Sequence, residues 1–248
     1  MPKLIAGNWK MHGLNFEAEA LARTIKAGAA GVSPERATLL VCPPFTALAT
    51  VGAALLHSPI LLGAQDCHPE PAGAYTGDIS APMLHDLGVR FVILGHSERR
   101  STHGESDALV QAKVVAAQAA ALIPIVCVGE TFAERDAGRA DGVIGGQLAG
   151  SLPADLAVAG GVIAYEPIWA IGSGRTPTAE QVSAMHSVIR NDLVRRFGGA
   201  GRDLPILYGG SVRPDNAGAI LALPEVGGAL IGGASLKAED FLAIARAA

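Results

Sequence analysis

The sequence predicts a (β/α)8 barrel, an α/β fold in which helices surround eight parallel strands. Three observations predict it. Short apolar runs alternate with segments of helical periodicity along the chain. Several runs are apolar at every position, as expected of parallel strands that are covered on both faces. Eight such strand–helix units fit the size of this fold, and the chain has 248 residues.

The predicted strands are short apolar runs, and several are flanked by glycine, proline or polar residues. They cover residues 4–9, 38–42, 60–64, 91–94, 123–128, 162–165, 206–208 and 229–231. An open doubly wound sheet is the alternative arrangement, but the Gly-x-Gly-x-x-Gly turn that would favour it is missing. The nearest match, residues 172–177, has Pro177 in place of the third glycine. Because no linker divides the chain, we expect one catalytic domain over residues 1–248.

Two intervening segments have a helical periodicity that predicts their buried face. After the acidic start at Glu105 and Asp107, which suits a helix N-terminus, Lys113 and Gln118 fall off the predicted face. That face consists of Leu109, Ala112, Val115, Ala116 and Ala119. In residues 179–197 the predicted face consists of Val182, Met185, Ile189, Leu193 and Val194.

Composition argues against several classes of partner. The net charge is −4 with no basic cluster, so we expect no nucleic-acid partner. The longest apolar stretch, 114–128, is interrupted by Gln118 and Pro124, so we expect no membrane span. Strand-like sequence begins at Lys3, which predicts no secretory signal. Three cysteines cannot all pair with one another, and they lack metal-type spacing, so we expect a cytoplasmic protein.

One connection is longer than a simple turn. Residues 66–80 contain two prolines, two glycines and no apolar periodicity. A loop of this length in a compact domain is usually functional or an interaction element. The adjacent Asp66, Cys67 and His68 suggest a metal site, but neighbouring residues rarely reach one ion, so we expect no metal.

Polar side chains gather where the predicted strands end, which is where barrels of this kind have their active sites. Asn8 and Lys10 follow the first strand, His96 follows the fourth, and Glu166 follows the sixth. Pro167 ends that sixth strand, and a glycine-containing segment suited to opening and closing follows it. A cation, an imidazole and a carboxylate suit acid–base chemistry on an anionic substrate. Each side chain also has a simpler interpretation. Lys10 could be a solvated lysine at the end of a strand, His96 a hydrogen-bonded residue in the wall of the barrel, and Glu166 a carboxylate on the surface.

Glycine pairs follow the last two predicted strands, at Gly209-Gly210-Ser211 and Gly232-Gly233. Without a Cβ the backbone can approach a ligand and direct several N–H groups at phosphate oxygens. A helix predicted to start near Ala234 and Ser235 would add its N-terminus to this site. We therefore favour a phosphate site over the alternative, that these glycines only permit tight turns.

His96 precedes a predicted helical turn, Ser97-Glu98-Arg99-Arg100. The positive end of that turn disfavours an imidazolium. A neutral ring that donates a hydrogen bond to a carbonyl is therefore the expected working form.

Taken together, the segments resemble the triosephosphate isomerase family across nearly the whole chain. The matching segments are Ala6-Gly7-Asn8-Trp9-Lys10-Met11, Gly73-Ala74-Tyr75-Thr76-Gly77, Leu94-Gly95-His96-Ser97-Glu98-Arg99-Arg100, Ala164-Tyr165-Glu166-Pro167 with Trp169-Ala170-Ile171-Gly172, Tyr208-Gly209-Gly210-Ser211-Val212 and Gly232-Gly233-Ala234-Ser235-Leu236. The resemblance implies a TIM barrel that interconverts dihydroxyacetone phosphate and glyceraldehyde 3-phosphate, in glycolysis and gluconeogenesis. It also implies a cytoplasmic homodimer, formed through loop 66–80, that needs no cofactor.

The resemblance also implies roles for individual residues. Glu166 matches the general base, His96 the neutral electrophile, and Lys10 the cation that stabilises the oxyanion, with Asn8 as a polar contact beside it. The residues that match the phosphate site are Gly172, Ser211, Gly232 and Gly233. Those that match supporting positions are Glu98, Ser97 and Thr76, the last of which reaches the neighbouring subunit's site.

This chain departs from the common family pattern at His12, at His103 and at Arg175-Thr176-Pro177. Two other functions remain as alternatives. A Schiff-base aldolase would use Lys10 and would be trapped on its substrate by borohydride. A non-catalytic sugar-phosphate-binding barrel would bind the ligand without exchanging its carbon-bound hydrogen.

Overall fold

A closed barrel of eight parallel strands forms the centre of the molecule in the computed structural model, which describes residues 2–171 and 176–248. The strands are β1 Lys3–Asn8, β2 Ala37–Cys42, β3 Leu61–Ala64, β4 Phe91–Leu94, β5 Ile123–Val128, β6 Val162–Tyr165, β7 Ile206–Tyr208 and β8 Gly228–Ile231. Each pairs with the next, and β8 closes the ring against β1, with Leu4 opposite Gly228. The predicted fold class is confirmed, and the predicted strand ends agree to within one residue.

Helices follow the strands and pack around the barrel. In the described residues the α-helices are α1 Asn15–Gly28, α2 Leu48–Leu55, α3 Ala81–Asp86, α4 Ser97–Thr102, α5 Asp107–Ala119, α6 Phe132–Asp136, α7 Ala140–Ser151, α8 Leu156–Ala159, α9 Ala179–Phe197, α10 Ala217–Leu221 and α11 Ala238–Arg246. Short 3₁₀ helices lie at Ala29–Gly31, Phe45–Ala47, Ile168–Ala170, Gly198–Arg202 and Gly233–Leu236. The predicted helix near Ala234 is thus one 3₁₀ turn. No helix among the described residues is both long and apolar enough to cross a membrane.

The core has two layers because successive strand residues point to opposite sides of the sheet. Residues of one parity, such as Leu40, Ile93 and Ile125, form a cluster made of strand residues alone, which fills the barrel. Residues of the other parity, such as Val41 and Leu94, pack against the helices in a second cluster. The strands are buried on both sides, which explains their continuous apolar sequence.

The buried face of α5 was predicted wrongly. The helix itself is confirmed, but its buried residues are Val110, Lys113, Val114 and Ala117, and Val115 is 51% exposed. Lys113 can be buried because its Nζ contacts Asp66 (2.8 Å) and Glu105 (2.6 Å). Because its ammonium is paired with two carboxylates, Lys113 can lie on the inner face of the helix. The buried face of α5 is therefore rotated about the helix axis relative to the apolar stripe that the sequence suggests.

The buried face of α9 is confirmed for Val182, Met185, Ile189 and Leu193. The sequence did not indicate that two polar residues, His186 and Asp192, are buried with them. His186 Nδ1 lies 3.2 Å from the backbone oxygen of Glu225. Arg195 and Arg196 bind Asp192.

Candidate active site

A cavity of about 490 Å³ lies at the carboxyl ends of the strands. The predicted site residues that line it are Asn8, Lys10, His96, Glu166, Ser211, Gly232 and Gly233. Gly172 lies outside the described residues. Ser97, Glu98 and Thr76 do not line the cavity. The barrel thus brings together residues that are up to 225 positions apart in the sequence, since Asn8 and Gly233 line the same space.

Glu166 lies immediately after β6 and is 2% exposed. Its N–H donates to Val128 O (2.8 Å), which extends the pairing of β6 with β5 by one residue. Both carboxylate oxygens have partners: Oε1 lies 2.8 Å from His96 Nε2, and Oε2 accepts from the Ser97 N–H at 3.0 Å. Burial raises the pKa of Glu166, but His96 and the Ser97 amide lower it by more, so the pKa stands below its ordinary value.

His96 occupies the N-cap position of α4, and the predicted short helix after it is confirmed. The Glu98 N–H donates to His96 Nδ1 (3.2 Å), which requires a lone pair on that nitrogen and leaves the ring proton on Nε2. Burial lowers the pKa of His96, and the Glu166 carboxylate raises it by more while the two side chains touch. Once Glu166 moves away, its effect on the pKa of His96 is lost. Burial, which is the largest influence, and Lys10 then lower this pKa, while the Glu98 carboxylate raises it. The hydrogen bond from the Glu98 amide to Nδ1 also favours the neutral ring.

Lys10 is held at the mouth of β1 in a backbone conformation that is rare for a non-glycine residue, with φ +53°. Asn8 Oδ1 accepts from the Lys10 N–H (3.0 Å), and Gln65 Nε2 donates to Lys10 O (2.8 Å). Lys10 Nζ contacts Glu98 Oε1 (2.5 Å). The side chains of Asn8 and Gln65 thus hold the strained backbone that directs the ammonium into the cavity.

Gln65 was not among the predicted site residues. It lies one residue beyond β3, so the rule that functional residues follow strand ends would have found it. Its contact with Lys10 joins residues 55 positions apart, which sequence spacing does not reveal.

Two of the glycines at the strand ends make room for protein side chains. A Cβ on Gly209 would lie 2.9 Å from Glu166 Cγ, and a Cβ on Gly232 would lie 3.3 Å from Lys10 Cε. These glycines therefore admit the two charged side chains as well as a ligand. By contrast, a Cβ on Gly233 would meet nothing within 4 Å, which leaves its backbone open to the cavity.

The end of the cavity formed by the glycine turns is suited to an anion. Within the described residues, the backbone N–H groups of Ser211, Gly232 and Gly233 have no protein acceptor. Arg213 and Lys237 also line the cavity, and the sequence analysis did not single them out. Unpaired N–H groups beside cationic side chains are a typical arrangement for phosphate.

The candidate metal ligand Asp66 has protein partners instead. Its carboxylate binds Lys113 and Arg99, at 2.8 Å in each case. Among the residues that the structure describes, no cluster of His, Cys, Asp and Glu is arranged to hold a metal ion.

Comparison with known proteins identifies the family. The family model described as Triosephosphate isomerase matches residues 3–248. The chain belongs to the triosephosphate isomerase family. It is 59% identical to the triosephosphate isomerase of Acidiphilium cryptum, over 100% of this chain and 99% of the relative. It is 57% identical to that of Xanthobacter flavus, over 98% of this chain and 96% of the relative.

A solved structure agrees with this assignment. The crystal structure of triosephosphate isomerase from Bartonella henselae superimposes with a TM-score of 0.91, at 45% identity, over 100% of this chain and 99% of that one. As a triosephosphate isomerase, the chain is an aldose–ketose isomerase that interconverts dihydroxyacetone phosphate and glyceraldehyde 3-phosphate.

The segment after β6 is described only in part. Residues 172–175, which include Gly172 and Arg175, lie outside the described residues. Thr176 and Pro177 lie beyond them, and Pro177 precedes Thr178, the N-cap residue of α9. The segment after Pro167 that we expect to open and close therefore ends directly at a capped helix.

Proposed function

We propose that Glu166, His96 and Lys10 perform the isomerisation in this chain. Glu166 removes a proton from the hydroxymethyl carbon of dihydroxyacetone phosphate. The electron pair of that C–H bond forms the enediolate double bond, and the carbonyl oxygen becomes an oxyanion. A proton then moves from the C1 hydroxyl to the C2 oxyanion by way of His96, which leaves the negative charge on O1. The electron pair of the double bond takes the proton back from Glu166 at C2 as the O1–C1 bond becomes the aldehyde carbonyl, which yields glyceraldehyde 3-phosphate.

His96 and Lys10 act on the oxygen where negative charge develops. The Nε2–H of His96 donates to this oxygen once Glu166 has moved to the substrate carbon. The Lys10 ammonium reaches into the same cavity and stabilises the oxyanion electrostatically, which is worth far more in a site that excludes water than in solution. The hydroxyl of Ser211 and the N–H groups of Ser211, Gly232 and Gly233, together with Gly172, bind the phosphate group.

One observation carries this proposal: the contact between His96 Nε2 and Glu166 Oε1, in a cavity whose far end consists of glycine turns. A base and a hydrogen-bond donor that touch each other can reach adjacent atoms of one small substrate. The Schiff-base aldolase is disfavoured because Lys10 is paired with the Glu98 carboxylate, whereas a nucleophilic lysine must be neutral.

The test is the isomerisation rate of Lys10→Met beside that of Lys3→Met. Lys3 begins β1 at the opposite end of the barrel, where its Nζ contacts Val226 O. We expect Lys10→Met to lose about 10²-fold or more in kcat/KM, and Lys3→Met to stay near wild type. Borohydride should trap no substrate on the wild-type protein. A trapped adduct, or a fully active Lys10→Met, would refute these roles.

We also propose that the protein is a cytoplasmic homodimer, and that its whole chain acts as one catalytic domain. Large apolar side chains are exposed on the segments that follow adjacent strands. They are Met11, Leu14 and Phe16 after β1, Phe45 after β2, and Tyr75 and Met83 after β3. Exposed apolar side chains on neighbouring segments favour a protein partner, and a second copy of the chain presents the same side chains.

Loop 66–80 has the form required to reach a partner. The His68 N–H donates to Ile79 O (2.8 Å), which closes the base of the loop, and the His68 ring lies 4.1 Å from that of Tyr75. Thr76, at the exposed tip, does not line the cavity of its own chain. This supports the proposal that Thr76 contacts the active site of the second subunit.

A further inference from the structure

Asn216 has an unusual side-chain orientation for its position. It is the N-cap residue of α10, where an asparagine ordinarily accepts a hydrogen bond from an amide in the first turn of its own helix. Here its side chain makes no such capping bond. The Ala217 N–H at the start of the helix donates to Arg213 O (2.9 Å) instead, so the side-chain amide of Asn216 binds elsewhere.

The side chain turns back towards the preceding loop, residues 211–216, which we call the phosphate loop. Its Oδ1 accepts from the Arg213 N–H (2.8 Å), and its Nδ2 donates to Ser211 O (3.1 Å). The Asn216 N–H also donates to Arg213 O (3.1 Å). One residue thus binds the phosphate loop at three backbone atoms.

These bonds fix two successive peptide planes. A trans peptide is planar, with its C=O and N–H pointing in opposite directions. Binding Ser211 O therefore directs the Val212 N–H away from Asn216, and binding the Arg213 N–H fixes the next plane. Ser211, Val212 and Arg213 all line the cavity.

We propose that Asn216 is a positioning residue for the phosphate group of the substrate. It holds the phosphate loop so that the Val212 N–H, beside Ser211, faces the phosphate before substrate arrives. Donors held in place in advance need no reorganisation when the ligand binds. This inference rests on the proposed phosphate site, and its effect is confined to ligands that carry a phosphate.

The experiment compares ligands with and without phosphate on Asn216→Ala. We expect the inhibition constant of inorganic phosphate to rise about tenfold, and kcat/KM for glyceraldehyde 3-phosphate to fall about 10- to 100-fold, chiefly through KM. Hydrogen exchange at the α-carbon of unphosphorylated glyceraldehyde, followed in heavy water, should stay within about twofold of wild type. Asn191→Ala, at an exposed position of α9, is the control and should match wild type throughout.

Asn216→Asp separates the two side-chain bonds. A carboxylate still accepts from the Arg213 N–H but cannot donate to Ser211 O. We expect the same phosphate-specific defect, and wild-type phosphate inhibition in this variant would overturn the proposal. Equal losses with phosphorylated and unphosphorylated substrates in Asn216→Ala would also overturn it, because they would indicate a general structural role.

Ser211→Ala distinguishes this inference from the phosphate site on which it rests. If Ser211→Ala weakens phosphate inhibition and Asn216→Ala does not, the site stands and the role of Asn216 is wrong. If neither variant changes phosphate inhibition, both proposals fail.

Discussion

His96 Nε2 lies 2.8 Å from Glu166 Oε1, so the donor proposed for the substrate carbonyl is bound to the proposed base. The Ser97 N–H holds the other oxygen of the same carboxylate. Glu166 must leave both donors to reach a substrate carbon. Because these donors lower its pKa, leaving them makes Glu166 a stronger base at the moment when it acts.

Replacing His96 by alanine should impair chemistry more than binding. We expect kcat to fall about 10²- to 10⁴-fold, since the carbonyl loses its hydrogen-bond donor. The inhibition constant of inorganic phosphate should change by less than about threefold, because the glycine turns remain intact. His85→Ala, at an exposed position of α3, is the matched control. Weak phosphate binding with nearly normal turnover would make His96 a binding residue.

Adding one methyl group at Gly209 should displace the base. The new Cβ would lie 2.9 Å from Glu166 Cγ and 3.1 Å from Tyr165 O. Since a misplacement of about 1 Å can cost roughly 10²-fold, we expect Gly209→Ala to lower kcat by about that factor. In Gly146→Ala on α7 the Cβ meets nothing within 4 Å. That variant should keep full activity and gain about 0.5–1 kcal/mol in free energy of unfolding. Normal kcat in Gly209→Ala would show that Glu166 tolerates the methyl group.

The strands were predictable from sequence because each is buried on both sides. Continuous apolar runs such as 123–128 then mark the strand itself, and the strand ends mark the site. The same argument predicted Lys10, His96 and Glu166 as site residues, and all three line the cavity.

Contacts between distant segments could not be predicted in the same way. The Ser97 N–H reaches Glu166 across 69 positions, and Lys113 reaches Asp66 across 47. The buried face of α5 differs from the predicted one because Lys113 is buried in an ion cluster with Asp66 and Glu105. The predicted apolar stripe consists of residues of moderate hydrophobicity, so it was only a weak indication of the buried face.

That ion cluster predicts a stability that depends on pH. Lys113→Met leaves the carboxylates of Asp66 and Glu105 buried without their ammonium partner, which should cost about 3–5 kcal/mol in free energy of unfolding at pH 7. Lys26→Met, which loses contacts only to backbone oxygens, should cost about 1 kcal/mol or less.

The sign of the pH effect follows from Glu105. Burial raises its pKa, but Lys113 and Arg99 lower it by more, so the wild type gains stability from Glu105 above the carboxylate's unfolded pKa and loses it as pH falls through the lowered value. Without Lys113, the effect of burial on Glu105 is less well opposed, so the pKa of Glu105 is higher in the variant than in the wild type. The loss of stability caused by the substitution is therefore smaller at acid pH, where this carboxylate becomes protonated. Denaturant unfolding should therefore show a smaller difference at pH 4.5 than at pH 7. A difference that grows on acidification would contradict this account.

Activity should depend on the second subunit. Deleting residues 73–77 removes Thr76 and the exposed Tyr75, so we expect a monomer with little activity. Sedimentation and the isomerase assay, run on the same sample, check both properties. Val158→Ser, which replaces an 88% exposed valine of α8, should remain a fully active dimer. An active monomer of the deletion variant would exclude a site completed across the interface.

The transfer of a carbon-bound proton by Glu166 is tested most directly by hydrogen exchange in heavy water. Wild-type protein should incorporate deuterium at the hydroxymethyl carbon of dihydroxyacetone phosphate and at C2 of the glyceraldehyde 3-phosphate formed. Glu166→Asp, which withdraws the carboxylate by one methylene, should slow both processes about 10²-fold or more, with a much smaller change in KM. Exchange at the wild-type rate in Glu166→Asp would contradict the assignment of Glu166 as the base.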